Sequence, residues 1–381
     1  MNNSTEKVCR IVIGGDLMPA GGNEALFSAG DACAIADKGI VDIIRSADFS
    51  VCNLEGVLTS RNEAREKTGP SLKADPSCIN GIRSFGWSCV GLANNHSTDY
   101  ESEGLEDTID LLEANGMQWI GAVSETDSST AYITLEINDV RVTIYAVSEQ
   151  FYNAPNGDNL GANLYDELIV IDELRQLRAQ CDCLIVLYHG GVEDFAYPSP
   201  WTKKTMQRIV SKGGADVVLS QHTHRLGARE YFNGSYLLYG QGDFLLARGK
   251  RDERKYGVLL ELTITKSGFE VNEHFIKRDE CCLHLYDSAF ESFIQRCARL
   301  EDGDDFAAEY DAFVKKKFAG YYKDYRPRTL VHKLLDKIYC KKLGYGYSAE
   351  QLMKHAHTYR NPLHRELLIA AFSKMHDEPR S

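Results

Sequence analysis

Residues 216–224 read Asp-Val-Val-Leu-Ser-Gln-His-Thr-His, an apolar strand-forming run that ends on two histidines one residue apart. Imidazole is the commonest protein ligand for transition ions. Alternate residues of an extended strand point to opposite faces, so both histidines can serve one centre only if the chain turns between them. The same junction recurs along the chain. Asp16 follows Gly14-Gly15, Asn53 and Glu55 end a second apolar run, Asn94, Asn95 and His96 end a third, and His189 precedes Gly190-Gly191. Carboxylate, amide and imidazole together suit Mn, Fe or Zn, whereas a softer thiolate site would need cysteines. Each junction alone has a bland explanation: an aspartate after two glycines is a common turn or cap residue. Five such junctions with consistent ligand chemistry point instead to a metal site. His355 and His357 fall in a helical pattern, where residues two apart do not share a face.

The elements that must position these residues alternate. Strand candidates fall at 9–16, 49–55, 89–95, 140–148, 181–190, 216–222, 236–244 and 257–264, several of them near-continuous apolar runs suited to strands buried on both faces. Helical patterns lie between them; Ser102–Gly116 carries Leu105, Ile109 and Leu112 on one face and closes on Asn115-Gly116. This alternation predicts an α/β fold with helices covering the sheets. Ligands of such folds bind at the carboxyl ends of strands, where the polar residues collect. After about residue 280 strand alternation is lacking, and segments such as 284–300, 305–322 and 329–343 read as helices. The expected division is a metal-site domain over 8–279 and a helical region over 280–381.

The chain has 381 residues, 43% of them apolar, and a formal charge of -12. That acidity argues against nucleic-acid binding, which needs a basic footprint, and means that an anionic substrate requires local positive charge, which bound metal supplies. The 11 cysteines include no Cys-x-x-Cys pair, and several lie in apolar runs as small hydrophobes. The first residues have no apolar leader-like segment and no run approaches the roughly 20 residues of a membrane span, so the expectation is a cytoplasmic protein without a membrane segment.

The order Gly-Asp (15–16), Asn-x-Glu (53–55), Asn-Asn-His (94–96), His-Gly (189–190) and His-x-His (222–224) resembles the calcineurin-like metallophosphoesterase superfamily, and more closely the CapA family of poly-γ-glutamate capsule synthesis proteins. The similarity covers roughly residues 8–265. It implies a calcineurin-like metallophosphatase β-sandwich flanked by helices, with an all-α C-terminal region. It also implies Asp16 and His224 at a first metal, Asn95, His189 and His222 at a second, Glu55 bridging, and His96 as the catalytic histidine. Asp99 and Glu193 match acidic residues of the CapA family. With Asn53, and with Arg225 next to His224, they are the candidates for substrate contact. Metallophosphoesterases usually carry Asp-x-His in the first motif, but here Met18 stands at the histidine position; Asp243 stands where the family more often has asparagine. The implied cofactor is one or two divalent ions, and the implied substrate an anionic small molecule or polymer, with capsule-synthesis proteins as partners. Two functions follow from these residues: a phosphoesterase-type hydrolase serving capsule polymer synthesis or processing, and a non-catalytic, metal-stabilised scaffold that binds a partner through its helical tail.

Overall fold

A computed structural model describes residues 7–67, 69–149, 152–246 and 254–325. The chain divides into two compact units, Met1–Arg65 with Ser71–Asp305, and Glu66–Pro70 with Phe306–Ser381. In chain order the strands of the first unit that matter here are β1 (Cys9–Met18), β2 (Phe49–Leu54), β3 (Cys89–Gly91), β4 (Gln118–Ile120), β5 (Tyr132–Ile137), β6 (Val140–Ser148) and β7 (Cys183–His189). They continue with β8 (Val217–Gln221), β9 (Arg229–Phe232), β10 (Ser235–Leu238), β11 (Asp243–Leu246), β12 (Tyr256–Thr265), β13 (Gly268–Asp279) and β14 (Cys282–Tyr286). The helices are α1 (Glu24–Ala29), α2 (Lys38–Ser46), α3 (Ile79–Phe85), α4 (Glu101–Ala114), α5 (Glu167–Arg178), α6 (Pro200–Ser211) and α7 (Glu291–Glu301); α8 (Ala307–Tyr325) lies in the second unit.

Two mixed sheets result. One runs β14-β13-β12-β1-β2-β3-β4, with β11 also paired to β1; the other runs β9-β10-β8-β7-β6-β5. On one face of the first sheet, Val12, Cys52, Val90 and Leu259 share an apolar cluster with Phe27, Ile40, Ile44, Ile82 and Leu105 of α1 to α4. The alternate residues Ile11, Ile13, Val51 and Cys89 are just as buried, so that face needs a second layer. The other sheet supplies it. Gln221 at the end of β8 donates to the Gly14 carbonyl of β1 (3.2 Å) and to Oε1 of Gln241 (3.1 Å), and Gln241 donates to the Ile13 carbonyl (2.9 Å). Helices α5 and α6 pack on the outside of β7 and β8. Local sequence sets their starts: Asp166 caps α5 by accepting from the Leu168 N–H, and Ser199 caps α6 ahead of Pro200.

Three expectations change. The run 236–244 is not one strand: β10 belongs to the second sheet and β11 to the first. The chain crosses at Tyr239–Gly242, where Gly240 and Gly242 have φ of 119° and 72°, conformations open to glycine. Residues 284–286, read as the start of a helix, finish β14 instead, because β13 pairs with them from Phe275 to Lys277. The charged strand β13 was absent from the expected set. The helical segments expected beyond residue 325 lie outside the described residues.

Candidate metal centre

Parallel pairing brings the junction residues together. β1 pairs with β2 and β11 so that Asp16 stands beside Asn53 on one side and Asp243 on the other. Gly15 allows this closeness, since a Cβ there would lie 2.1 Å from the Gly242 carbonyl oxygen. In the second sheet β6, β7 and β8 end level, with His189 opposite Gln221. Beyond β8 the chain does turn: His222 and His224 both take left-handed backbone, with φ of 80° and 53°. That conformation is uncommon for residues with a side chain, and here it brings the two rings to 6.0 Å apart.

Hydrogen bonds fix the donors. Asp16 accepts from Asn53 Nδ2 (2.7 Å) through one oxygen and from the His222 N–H (2.9 Å) through the other. Asn53 Oδ1 in turn accepts from Asn94 (3.2 Å), and its Nδ2 lies 3.2 Å from His189 Nδ1. Asn53 is thus buried in a layer that holds Asp16 and His189. His189 Nε2 lies 2.7 Å from Asn95 Oδ1 and 3.6 Å from Glu55 Oε1, and His224 Nε2 lies 3.8 Å from the same Glu55 oxygen. Ligand atoms of Glu55, His189 and His222 all fall within 4.8 Å of one another, and so do those of Asp16, His224 and Asp243. Six of the expected metal residues (Asp16, Glu55, Asn95, His189, His222 and His224) therefore converge.

The electrostatics are those of a site built for a cation. Burial pushes the Glu55 carboxyl well above the carboxylate range, with His224 opposing and Asp16 and Asp243 adding to the rise. Burial likewise raises Asp16 to about 6 against the pull of His224. Burial alone would lower His224, but Glu55, Asp243 and Asp16 outweigh it and raise it to about 10. Burial and the neighbouring His222 and His224 hold His189 well below the histidine range, as the neutral imidazole that a metal ligand must be. Among the described residues, both Glu55 oxygens and Asp243 Oδ2 are buried without a hydrogen-bond partner. Orphaned carboxylate oxygens in a dry pocket are costly, and divalent ions offset that cost. The residues fit the metal that their types suggest.

Around this centre, His96 Nδ1 lies 2.6 Å from Asp99 Oδ2, which also accepts from the Leu72 N–H (2.6 Å), and His96 Nε2 lies 4.0 Å from Glu55 Oε1. Glu193 is half-exposed and paired with the buried Arg254 (2.6 Å), which also holds Asp194 (2.7 Å). Burial works against the Glu193 charge, but His222, His224 and Arg254 outweigh it and hold the carboxyl at about 2. The Asp194 N–H donates to the Thr223 carbonyl (2.9 Å), tying this loop to the histidine corner. Arg225 is half-buried just past that corner.

Comparison with known proteins now bears on the same residues. The family model described as "Bacterial capsule synthesis protein PGA_cap" matches residues 10–248. The chain belongs to this capsule synthesis family. It is 24% identical over 236 residues to the PGA biosynthesis protein CapA of Bacillus subtilis, covering 60% of this chain and 62% of that one. It is 21% identical over 215 residues to the capsule biosynthesis protein CapA of Bacillus anthracis, covering 54% and 52%. The chain thus spans between about half and three-fifths of these relatives. Among solved structures it is similar to a phosphatase of Mycoplasma pneumoniae (TM-score 0.45, 11% identity, 72% of this chain and 96% of that one). It is also similar to the calcineurin-like phosphoesterase YfkN of B. subtilis (TM-score 0.40, 12% identity, 74% and 89%). The family match spans every expected site residue, from Asp16 to Arg225. Arg254 lies beyond it, and neither Arg254 nor Asp243 was among the expected site residues. Asp243 carried two usable signals: its place at a position where the resembled family more often has asparagine, and the Gly242 before it, which repeats the glycine-then-aspartate pattern of Gly15-Asp16. Arg254 carried none. Among the described residues, no helix is long and apolar enough to cross a membrane.

Proposed function

We propose that this member of the capsule synthesis family is a metal-dependent hydrolase of phosphoester type, acting on an anionic substrate in the synthesis or processing of a capsule polymer such as poly-γ-glutamate. One observation carries the reading: His96, oriented by Asp99, turns its second nitrogen toward Glu55 at the edge of two ligand clusters. In the reading, Asp16, Asp243, Glu55, Asn95, His189, His222 and His224 hold one or two divalent ions. When bound, such ions act as Lewis acids and lower the pKa of water. The chain's own residues supply the rest. Asp99 holds the imidazole through Nδ1, so Nε2 is the nitrogen that gives a proton or hydrogen bond to the departing oxygen. Asn95 contributes a neutral amide oxygen, which keeps the cluster from accumulating further negative charge. Arg225 and the Arg254-tethered Glu193 flank the substrate's approach.

The test joins metal content to turnover. Purified protein is expected to hold divalent metal and, with Mn²⁺, to hydrolyse generic phosphodiesters and monoesters. His96→Asn should keep the metal and lose activity by about 10²-fold or more. Metal bound with no hydrolysis by the wild type would favour the scaffold function; absence of bound metal would remove both.

A further inference from the structure

Asp243 belongs to one of the two ligand clusters but was not among the expected site residues. Met18, two residues after Asp16 on β1, offers no hard donor and is wholly buried in the apolar cluster with Leu54, Leu58 and Leu72. A Cβ on Gly56 would meet its Sδ at 2.7 Å and its Cε at 2.8 Å, so the side chain is turned to Gly56 and the core. Asp243 comes from another direction. The crossing at Tyr239–Gly242 delivers it to the first sheet in register with Asp16. It is 5% exposed, one oxygen lies 2.8 Å from His224 Nδ1, and the other has no hydrogen-bond partner among the described residues.

We propose that Asp243 supplies the donor that position 18 does not, so that one ion site is made of Asp16, Asp243 and His224 and shares Glu55 with the other. The two sites then differ in kind. The first offers three carboxylates and one imidazole; the second offers two imidazoles, His189 and His222, with Asn95 and the shared carboxylate. Hard oxygen donors lessen a site's discrimination against Mn²⁺, and imidazole-rich sets increase the preference for Zn²⁺, so the Mn²⁺-to-Zn²⁺ affinity ratio is higher at the first site than at the second. Asp16, Glu55 and Asp243 carry three negative charges against four positive from two divalent ions, which leaves the centre attractive to an anion. This assignment rests on the metal-dependent reading above.

The experiment uses the full chain stripped of metal, titrated calorimetrically with Mn²⁺ alone, Zn²⁺ alone and each in competition, with metal-to-protein ratios measured after gel filtration. Wild type is expected to take two ions. Asp243→Asn should keep one at unchanged affinity and weaken the other by about 10–100-fold or more, lowering that site's Mn²⁺-to-Zn²⁺ affinity ratio. His222→Ala should weaken the opposite ion, at the site with the greater preference for Zn²⁺ over Mn²⁺. Thermal unfolding of the metal-free variants shows whether each is folded. If Asp243→Asn is not, Asp243→Glu keeps the charge and moves the oxygens by one methylene; it should weaken the same ion. Two ions bound to a folded Asp243 variant at wild-type affinity and selectivity would overturn the assignment of Asp243 and leave the metal-dependent reading standing. A wild type that takes up no ion would overturn both.

Discussion

At the residue scale, His96 and Asp99 form a unit. An imidazole with one nitrogen committed to a carboxylate has its tautomer and ring orientation set, and its basicity raised. His96 is held this way three residues before Asp99, inside one buried turn, so the Asp99 contact at Nδ1 leaves Nε2 as the nitrogen toward Glu55. Asp99→Asn keeps an oxygen for the Leu72 N–H but removes the charge. Turnover is expected to fall by about 10–100-fold, and the limb of the pH–kcat/KM profile that reports His96 should move to lower pH, with metal content unchanged. A profile of unchanged shape would mean that Asp99 only supports the loop at Leu72. The recurrence of imidazole, carboxylate and amide at five strand ends drew the sequence reading to the His222/His224 pair, while the role of His96 came only from the family resemblance. Asp243 was not legible in that way, since one aspartate after a glycine is what many turns contain.

At the element scale, the site depends on how closely β1 and β11 approach. The approach is set by Gly15, whose missing side chain is replaced in space by the Gly242 carbonyl. Gly15→Ala must push the two strands apart, and overpacking of backbone in a filled core costs on the order of 1–3 kcal/mol. The shift also separates Asp16 from Asp243. Both consequences are measurable: a lower denaturation midpoint for the metal-free variant, and weaker binding of the ion assigned to Asp16 and Asp243. A variant with a lowered midpoint but wild-type metal affinity would show that the glycine serves packing alone. Periodicity revealed the helices and the apolar strands well, because α2, α4, α5 and α6 each bury one face and β7 and β8 bury two. It could not reveal β13, whose Glu270 and Asn272 lie exposed on one face and break the apolar pattern of a buried strand. Nor could it show that the run 236–244 changes sheets, because a crossing at glycines leaves the apolar pattern on either side intact.

At the scale of the whole molecule, an acidic chain folds around a dry cluster of carboxylates, and the cost of that arrangement depends on pH. In the metal-free protein Asp16 is raised from 3.8 to about 6, by burial first, and His224 from 6.5 to about 10, where Glu55, Asp243 and Asp16 overcome its burial. Both groups bind protons more tightly folded than unfolded. Asp16 therefore contributes stability that is complete below pH 3.8 and lost by about pH 6, and His224 contributes stability complete below pH 6.5 and lost by about pH 10. Other carboxylates titrate in the acid window, so the measurement must be a difference. In EDTA, the stability of wild type relative to Asp16→Asn should fall by on the order of 2–3 kcal/mol between pH 3.8 and 6. Added divalent metal should reverse that trend, because protons and metal compete for the same oxygens and metal affinity rises as the ligands lose protons. At a fixed metal concentration the stability gap between metal-loaded and metal-free wild type should then widen steadily from pH 4 upward, reaching about 3 kcal/mol for each ion once its concentration is 100 times its Kd. A gap that stays constant over this range would mean that the metal does not meet Asp16 and His224, and the buried charges would have to be offset in some other way.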